Sequence, residues 1–217
     1  MTSQIDFDRT GFPLIWIDAI EAYVHWLPVT KIQFEYFICD IVDSRFDSHW
    51  YEQILARNPR ISPQEIRPDN YWQALLTGIT PVEAESFALW CGENYNIPKF
   101  DEWIKVYNTI KNTSPVLLPI FTRADMKPRV RILLEQLDAI VHTSQKSELT
   151  LAHQMLMREG VMEWVRYDKS PINWDATGCP NRKFHSDMYN PDSGRPRGLS
   201  TLQRQSYLGF RLIRRDR

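Results

Sequence analysis

The chain has 217 residues, of which 26 are basic, 27 are acidic and 43% are apolar. This length suits one domain or two small ones, and the composition is that of an ordinary globular protein, which excludes extensive disorder. The near-zero net charge argues against a surface built as a whole for nucleic acid, and no apolar run approaches the ~18 residues of a membrane-spanning helix. Three cysteines without CxxC spacing and a start without a signal-peptide pattern lead us to expect a cytoplasmic protein.

The first third of the chain carries helical patterns. Ile17 to Trp26 places apolar residues at helical spacing, which predicts an amphipathic helix. Thr30 and Gln33 have the spacing of a capping box, so a helix is expected over Lys31–Cys39. A further short helix is predicted over Ser48–Ala56.

The clearest start signal lies near residue 80. Thr80, Pro81 and Glu83 provide an N-cap, a proline in the first turn and an acid at the third helical position. The helix that they begin is expected to reach about Tyr95. After the break at Pro98, Asp101 is expected to cap a helix that ends near residue 111.

The second half changes from helix to strand. Helices are predicted over Lys127–His142 and Leu149–Met157. Alternating polarity predicts strands over Gly160–Val165 and Tyr207–Arg214, and the polar stretch Ser170–Ser206 between them is expected to be irregular. These elements predict an α+β fold, with helices in the first three quarters and short strands late.

Several separated segments, in order, resemble motifs of the formylglycine-generating enzyme superfamily, also called the sulfatase-modifying-factor domain. They resemble an opening of PVTxxQF type, a helix ending in F-C-x-W, and the motifs LPTEAEWE, GNVWEWV and xGFRLVR. The matching segments are Pro28–Phe34, Asn70–Trp72 with Thr80–Cys91, Ile97–Trp103, Gly160–Val165 and Leu208–Arg214. The resemblance implies a C-type-lectin-like fold with much irregular structure, a single domain over residues 1–217, and a structural role for Arg211.

One stretch has no place in the family pattern. The resemblance leaves residues 122–158 as a helical insertion, which either packs locally or docks a partner. An apolar stripe runs along its first helix: Val130, Leu133, Leu134, Leu137 and Val141.

The departures from the family concern its chemistry. The family's oxidases bind copper with two cysteines close together near the C-terminus, whereas only Cys179 follows Trp164 here. The five histidines lack the spacing of the related iron enzymes, and Glu159 is the one acidic oxygen ligand left where the family has a calcium loop. Cys91 matches a helix cysteine that packs as a small hydrophobic residue in the family. We therefore expect no catalytic residues, no metal and no cofactor.

The stretch from Trp174 to Arg204 is the candidate ligand-binding segment. In C-type-lectin-like domains the corresponding loops face the ligand, and aromatic, Arg and Asn side chains are typical of recognition surfaces. The candidate ligand-binding residues are Trp174, Asn181, Arg182, His185, Asp187, Tyr189, Asn190, Arg195, Arg197 and Arg204. An alternative interpretation is that these polar side chains brace the backbone of an irregular fold.

Positive charge is concentrated at the end of the chain. Nine basic and three acidic residues lie between Arg182 and Arg217, so this stretch carries a net charge of +6 and residues 1–181 carry −7. An acidic partner would be attracted to it, but a solvated basic face is the simpler reading, and no nucleic-acid-binding motif is present.

Three hypotheses for function remain. The first is a non-catalytic recognition module that binds a protein or peptide through its late loops, as in the diversified ligand-binding proteins and the bacterial signalling or defence assemblies of the family. The second is an enzyme that uses Cys179, or a metal held by His185 and Asp187. The third is an architectural subunit. The sequence leaves the ligand and the oligomeric state open.

Overall fold

The computed structural model describes residues 4–41, 46–118, 126–143, 150–156, 161–170, 172–177 and 199–216. The strands are β1 Ile5–Phe7, β2 Pro13–Ile17, β3 Ala22–His25, β4 Tyr95–Asn96, β5 Met162–Arg166, β6 Trp174–Thr177, β7 Leu208–Gly209 and β8 Ile213–Arg214. The helices are α1 Lys31–Asp40, α2 Ser48–Arg57, α3 Pro81–Cys91, α4 Phe100–Ile110, α5 Pro128–Thr143 and α6 Leu151–Leu156. This mixture confirms the predicted α+β class.

The strands form two sheets that meet near the C-terminus. One sheet has the order β1-β2-β3-β8-β4, and its pairs are antiparallel. The other has the order β6-β5-β7, in which β5 runs antiparallel to β6 and parallel to β7. Since β7 and β8 are three residues apart, the final stretch of chain belongs to both sheets.

Arg211 occupies the joint between β7 and β8 and is fully buried. Its guanidinium donates to both carboxylate oxygens of Glu163 at 2.9 and 2.8 Å. It also donates to the backbone carbonyls of His25, Trp26 and Met155 at 2.9–3.1 Å. All five N–H groups of an arginine are thereby used, as burial of such a charge requires. The structural role expected for Arg211 is confirmed.

The helix predicted for residues 17–26 is wrong, and so is the expectation that strands occur only late. The segment forms an antiparallel hairpin of β2 and β3, with Glu21 in a left-handed conformation (φ 47°) at the turn. All four residues of β3 are buried, and its alternate side chains pack into different core clusters, with Ala22 and Val24 in one and Tyr23 in the other. A strand buried on both faces cannot be distinguished by periodicity from a buried helix.

The helix starts were predicted more accurately than the ends. The capping box of Thr30 and Gln33 is present, with the Gln33 side chain accepting from the Thr30 amide at 2.9 Å. α3 begins after Thr80 as expected but ends at Cys91, because Gly92 adopts a positive φ of 151°. α4 begins at Phe100 rather than after Asp101, since its first turn is closed by the Glu102 carboxylate on the Lys99 amide at 2.8 Å.

Two further elements refine the prediction for the second half. The stretch expected to be irregular contains β6, which returns onto β5 through a turn with Asn173 at φ 58°. Four residues of the α5 stripe pack inward, since Val130, Leu133, Leu134 and Leu137 are buried in one of the core clusters, and the side chain of Val141 lies outside the described part. These buried contacts support the alternative in which the helical insertion packs locally. No described helix is long and apolar enough to cross a membrane.

Candidate recognition surface

The structure describes the two ends of the late segment, residues 174–177 in β6 and residues 199–204 before β7. Thr177, the last residue of β6, pairs with Glu163 of β5. Of the ten candidate residues, Trp174 and Arg204 lie in the described part. The other eight lie outside it: Asn181, Arg182, His185, Asp187, Tyr189, Asn190, Arg195 and Arg197. Cys179 also lies outside.

Trp174 belongs mainly to the core. It packs edge-on against Trp164 with ring centroids 6.5 Å apart, and it is only 9% exposed. Its ring also lies under the Arg166 guanidinium, 5.1 Å from the centroid. Arg166 in turn forms an ion pair with Glu85 of α3. Trp174 is thus part of a contact chain that ties the small sheet to α3.

Arg204 is the residue that anchors the returning end of the late segment. Its guanidinium donates to both oxygens of Glu83 on α3 and to the carbonyl of Gly78, the last at 3.0 Å. Both side chains are largely buried, with exposed fractions of 12% for Arg204 and 4% for Glu83. Gln53 accepts a longer hydrogen bond of 3.4 Å from Arg204 Nε. The contacts of Arg204 therefore match the alternative in which polar side chains of the late segment stabilise the fold.

Glu83 has two functions at once. Its Oε2 accepts from the backbone amide and the hydroxyl of Thr80 at 2.8 and 2.9 Å, which closes the first turn of α3. Its Oε1 accepts from the Trp50 indole and from Arg204. The carboxylate therefore couples α2, the start of α3 and the late segment.

The solvent-facing side of α3 carries apolar side chains that sequence reasoning did not select. Val82 is 52% and Leu89 70% exposed, and the Glu85 side chain lies between them on the same helical face. Leu202, two residues before Arg204, is 88% exposed. No separate signal in the sequence marks these positions, because α3 has apolar residues on both faces.

The described reactive groups are buried or isolated. Burial raises the pKa of the Cys91 thiol well above its ordinary value, helped by the nearby Asp8 charge, so this thiol is a poor nucleophile. Asp8 accepts from the Thr10 hydroxyl at 2.6 Å and lies 3.3 Å from His25, with both side chains fully buried. Burial alone would raise the pKa of Asp8, but these neighbours and the Phe12 amide lower it. Among the described residues, no group of three or more His, Cys, Asp or Glu side chains has the arrangement to hold a metal ion.

Comparison of the chain with family models, with curated proteins and with solved structures finds no match in any of the three. The resemblance to the formylglycine-generating enzyme superfamily therefore rests on the quoted segments and stays a prediction.

Proposed function

We propose that the chain is a catalytically degenerate relative of the formylglycine-generating enzymes that acts as a recognition module. In this proposal the late loops, residues 174–204, bind a protein or a peptide. The observation that carries it is the anchoring of both ends of this segment. One end is a strand of a buried sheet, and the other is held by the Arg204–Glu83 ion pair.

Rigid anchoring matters because a loop binds tightly only when little order has to be created on binding. A long polar loop with fixed ends resembles the loops that carry recognition in other scaffolds. The residue types available between the anchors support the same function, since Tyr, Arg and Asn give large contacts and adaptable hydrogen bonds. Trp174 and Arg204 would then position the loop, and residues between them, such as Arg182, Tyr189 and Arg197, would contact the ligand.

The first test is capture of binding partners by the purified protein, followed by mass spectrometry. A variant with Arg182→Ala, Tyr189→Ala and Arg197→Ala is compared with the wild type. Loss of a central contact residue of this kind costs about 2 kcal/mol or more of binding free energy. We therefore expect the affinity for a specific partner to fall at least ~30-fold.

A matched control carries the same type of change elsewhere. Lys105→Ala removes an exposed cation from α4, Arg131→Ala removes a partly exposed one from α5, and both changes should leave capture unchanged. Equal capture by the loop variant and the control would refute recognition through the late loops and leave the architectural hypothesis. Stoichiometric copper or iron in the purified protein, or activity lost in Cys179→Ser, would instead favour the enzyme hypothesis.

A further inference from the structure

A small pocket lies between the start of α1, the chain before the 3-10 turn at Pro63–Glu65, and α5. Its polar wall is formed by Lys31, Glu35 and Arg60. Its floor is apolar and includes Ile32, Ile61 and Leu133. The enclosed part has a volume of about 10 Å³, which is room for one water-sized group. The enclosed part can therefore take one oxygen atom of a ligand group, and the remaining atoms of the ligand would lie at its mouth. None of these residues belongs to the late segment.

The charged side chains around this pocket have an excess of positive charge. Both oxygens of Glu35 are engaged by arginines, Oε1 by Arg60 at 3.2 Å and Oε2 by Arg129 at 2.7 Å. The Glu35 charge is thus already shared by two cations. When Lys31 is protonated, the four side chains carry a net charge of +2.

Lys31 is the cation without a counterion. Its ammonium donates to the carbonyl of Pro59 at 3.0 Å, and it has no carboxylate partner among the described residues. It is also the first residue of α1, where the positive end of the helix dipole disfavours a cation and no acidic residue occupies the first turn. Burial lowers its pKa from the ordinary value to about 8, although Glu35 acts in the opposite direction. An ammonium with two unused donors in such surroundings is stabilised by an anion that enters the pocket.

We infer that this pocket is a binding site for a carboxylate group, with the Lys31 ammonium as the main donor and Arg60 as the second. A carboxylate suits the site better than a phosphate for two reasons. The Glu35 charge in the wall repels a dianion more than a monoanion. The apolar lining residues can contact the hydrocarbon part that follows a carboxylate, whereas a phosphate is hydrated on every side.

The affinity should depend on pH with a defined sign. The carboxylate binds the charged form of Lys31, so binding falls as pH rises through about 8. Among the described residues, the other charged or titratable groups around this pocket are Glu35, Arg60 and Arg129, then Tyr36, which interacts with Glu35 and Arg129, and Tyr51, whose hydroxyl accepts from Arg60 at 3.2 Å. Lys31 is the group at this pocket whose pKa is lowered to about 8, so its titration sets the expected pH dependence.

Titration of the ¹⁵N-labelled protein with sodium acetate, followed by NMR, tests the site directly. Sodium chloride at equal ionic strength and inorganic phosphate are the parallel arms. Acetate should shift the signals of residues 31–35 and 60–61 in a saturable way, and Lys31→Met should weaken this binding at least ~10-fold. Lys105→Met, on the exposed side of α4, is the matched control and should bind as the wild type does.

Three results would overturn the inference: equal titration of Lys31→Met and wild type, equal shifts with chloride, or saturable binding of phosphate without binding of acetate. A measurement on the unmodified protein covers the case in which Lys31→Met fails to fold. The side-chain ¹³Cε signal of Lys31 reports its pKa, which saturating acetate should raise. An unchanged pKa under acetate would contradict the inference equally well.

Discussion

Arg211 and Arg204 lie seven residues apart, and each pairs with a buried glutamate, yet they stabilise different parts of the molecule. Arg211 is fully enclosed and uses five donors on Glu163 and three backbone carbonyls. Arg204 retains some exposure and joins the late segment to α3 through Glu83. The first pair joins the two sheets, and the second fixes the border of the candidate recognition surface. The comparison shows how one type of interaction can serve the core in one place and a loop in another.

The largest effect is expected for Arg211→Met. Glu163 would keep its buried charge without a partner, and breaking a buried pair in this way costs about 3–5 kcal/mol of unfolding free energy. Urea unfolding followed by tryptophan fluorescence measures the loss. Replacing Glu163 by Gln in the same variant should recover part of it. A loss under about 1 kcal/mol would show that the joint does not depend on this pair.

Arg204→Met should cost less, about 2–3 kcal/mol, because the pair is less deeply enclosed. The distinguishing result is local. Amide hydrogen exchange should accelerate at residues 199–204 and at the start of α3, while the hairpin of β2 and β3 stays protected. Capture of a partner should weaken as well, because the loop loses one of its anchors. Acceleration spread evenly over the whole chain would contradict the division of roles between the two arginines.

Gly209 lies in the chain between the two arginines, at a point where β7 passes close to Leu76. A Cβ at this position would come within 2.5 Å of the Leu76 carbonyl oxygen and 2.7 Å of Val161 Cγ1. Gly209→Ala must therefore shift β7, at a cost of about 1–3 kcal/mol. Thermal unfolding measures this, and Gly198→Ala in the late segment is a control for the loss of a glycine. A stability equal to that of the wild type would mean that β7 can separate from Leu76 at little cost.

The smallest effect is expected for Arg166→Met, which breaks an ion pair on the surface. Arg166 and Glu85 are 43% and 40% exposed, so solvent screens their attraction. The loss should be below about 1 kcal/mol and should shrink further in 0.5 M salt. Paired urea curves at low and high salt measure it. A loss as large as that of Arg204→Met would mean that the exposure of an ion pair does not determine its contribution to stability.

Contacts between near neighbours in the chain could be predicted from the sequence, whereas contacts between distant residues could not. The capping boxes at Thr30 and Thr80 span three residues and were found from the letters alone. The segment 22–25 was misassigned because its strand character depends on pairing with Ile213 and Arg214, about 190 positions later. The β6 strand was missed because its four residues, although they alternate in polarity, are too few for a clear pattern inside a polar stretch and are stabilised by pairing with β5. Of the candidate site, Trp174 and Arg204 were selected for their residue types, whereas their buried contacts were not foreseeable.

Sequence alone determined where α1, α2 and α3 begin, which side of α5 faces inward, and that the late stretch is more polar than the rest. These properties depend on neighbours within one or two turns, so the local order of residues is sufficient for them. Only the tertiary structure decided that Glu83 serves both as a cap and as the counterion of Arg204, and that Glu35 is shared by two arginines so that Lys31 has no counterion. A carboxylate accepts several donors, and which distant cations reach it is set by the packing of the chain rather than by its sequence neighbours.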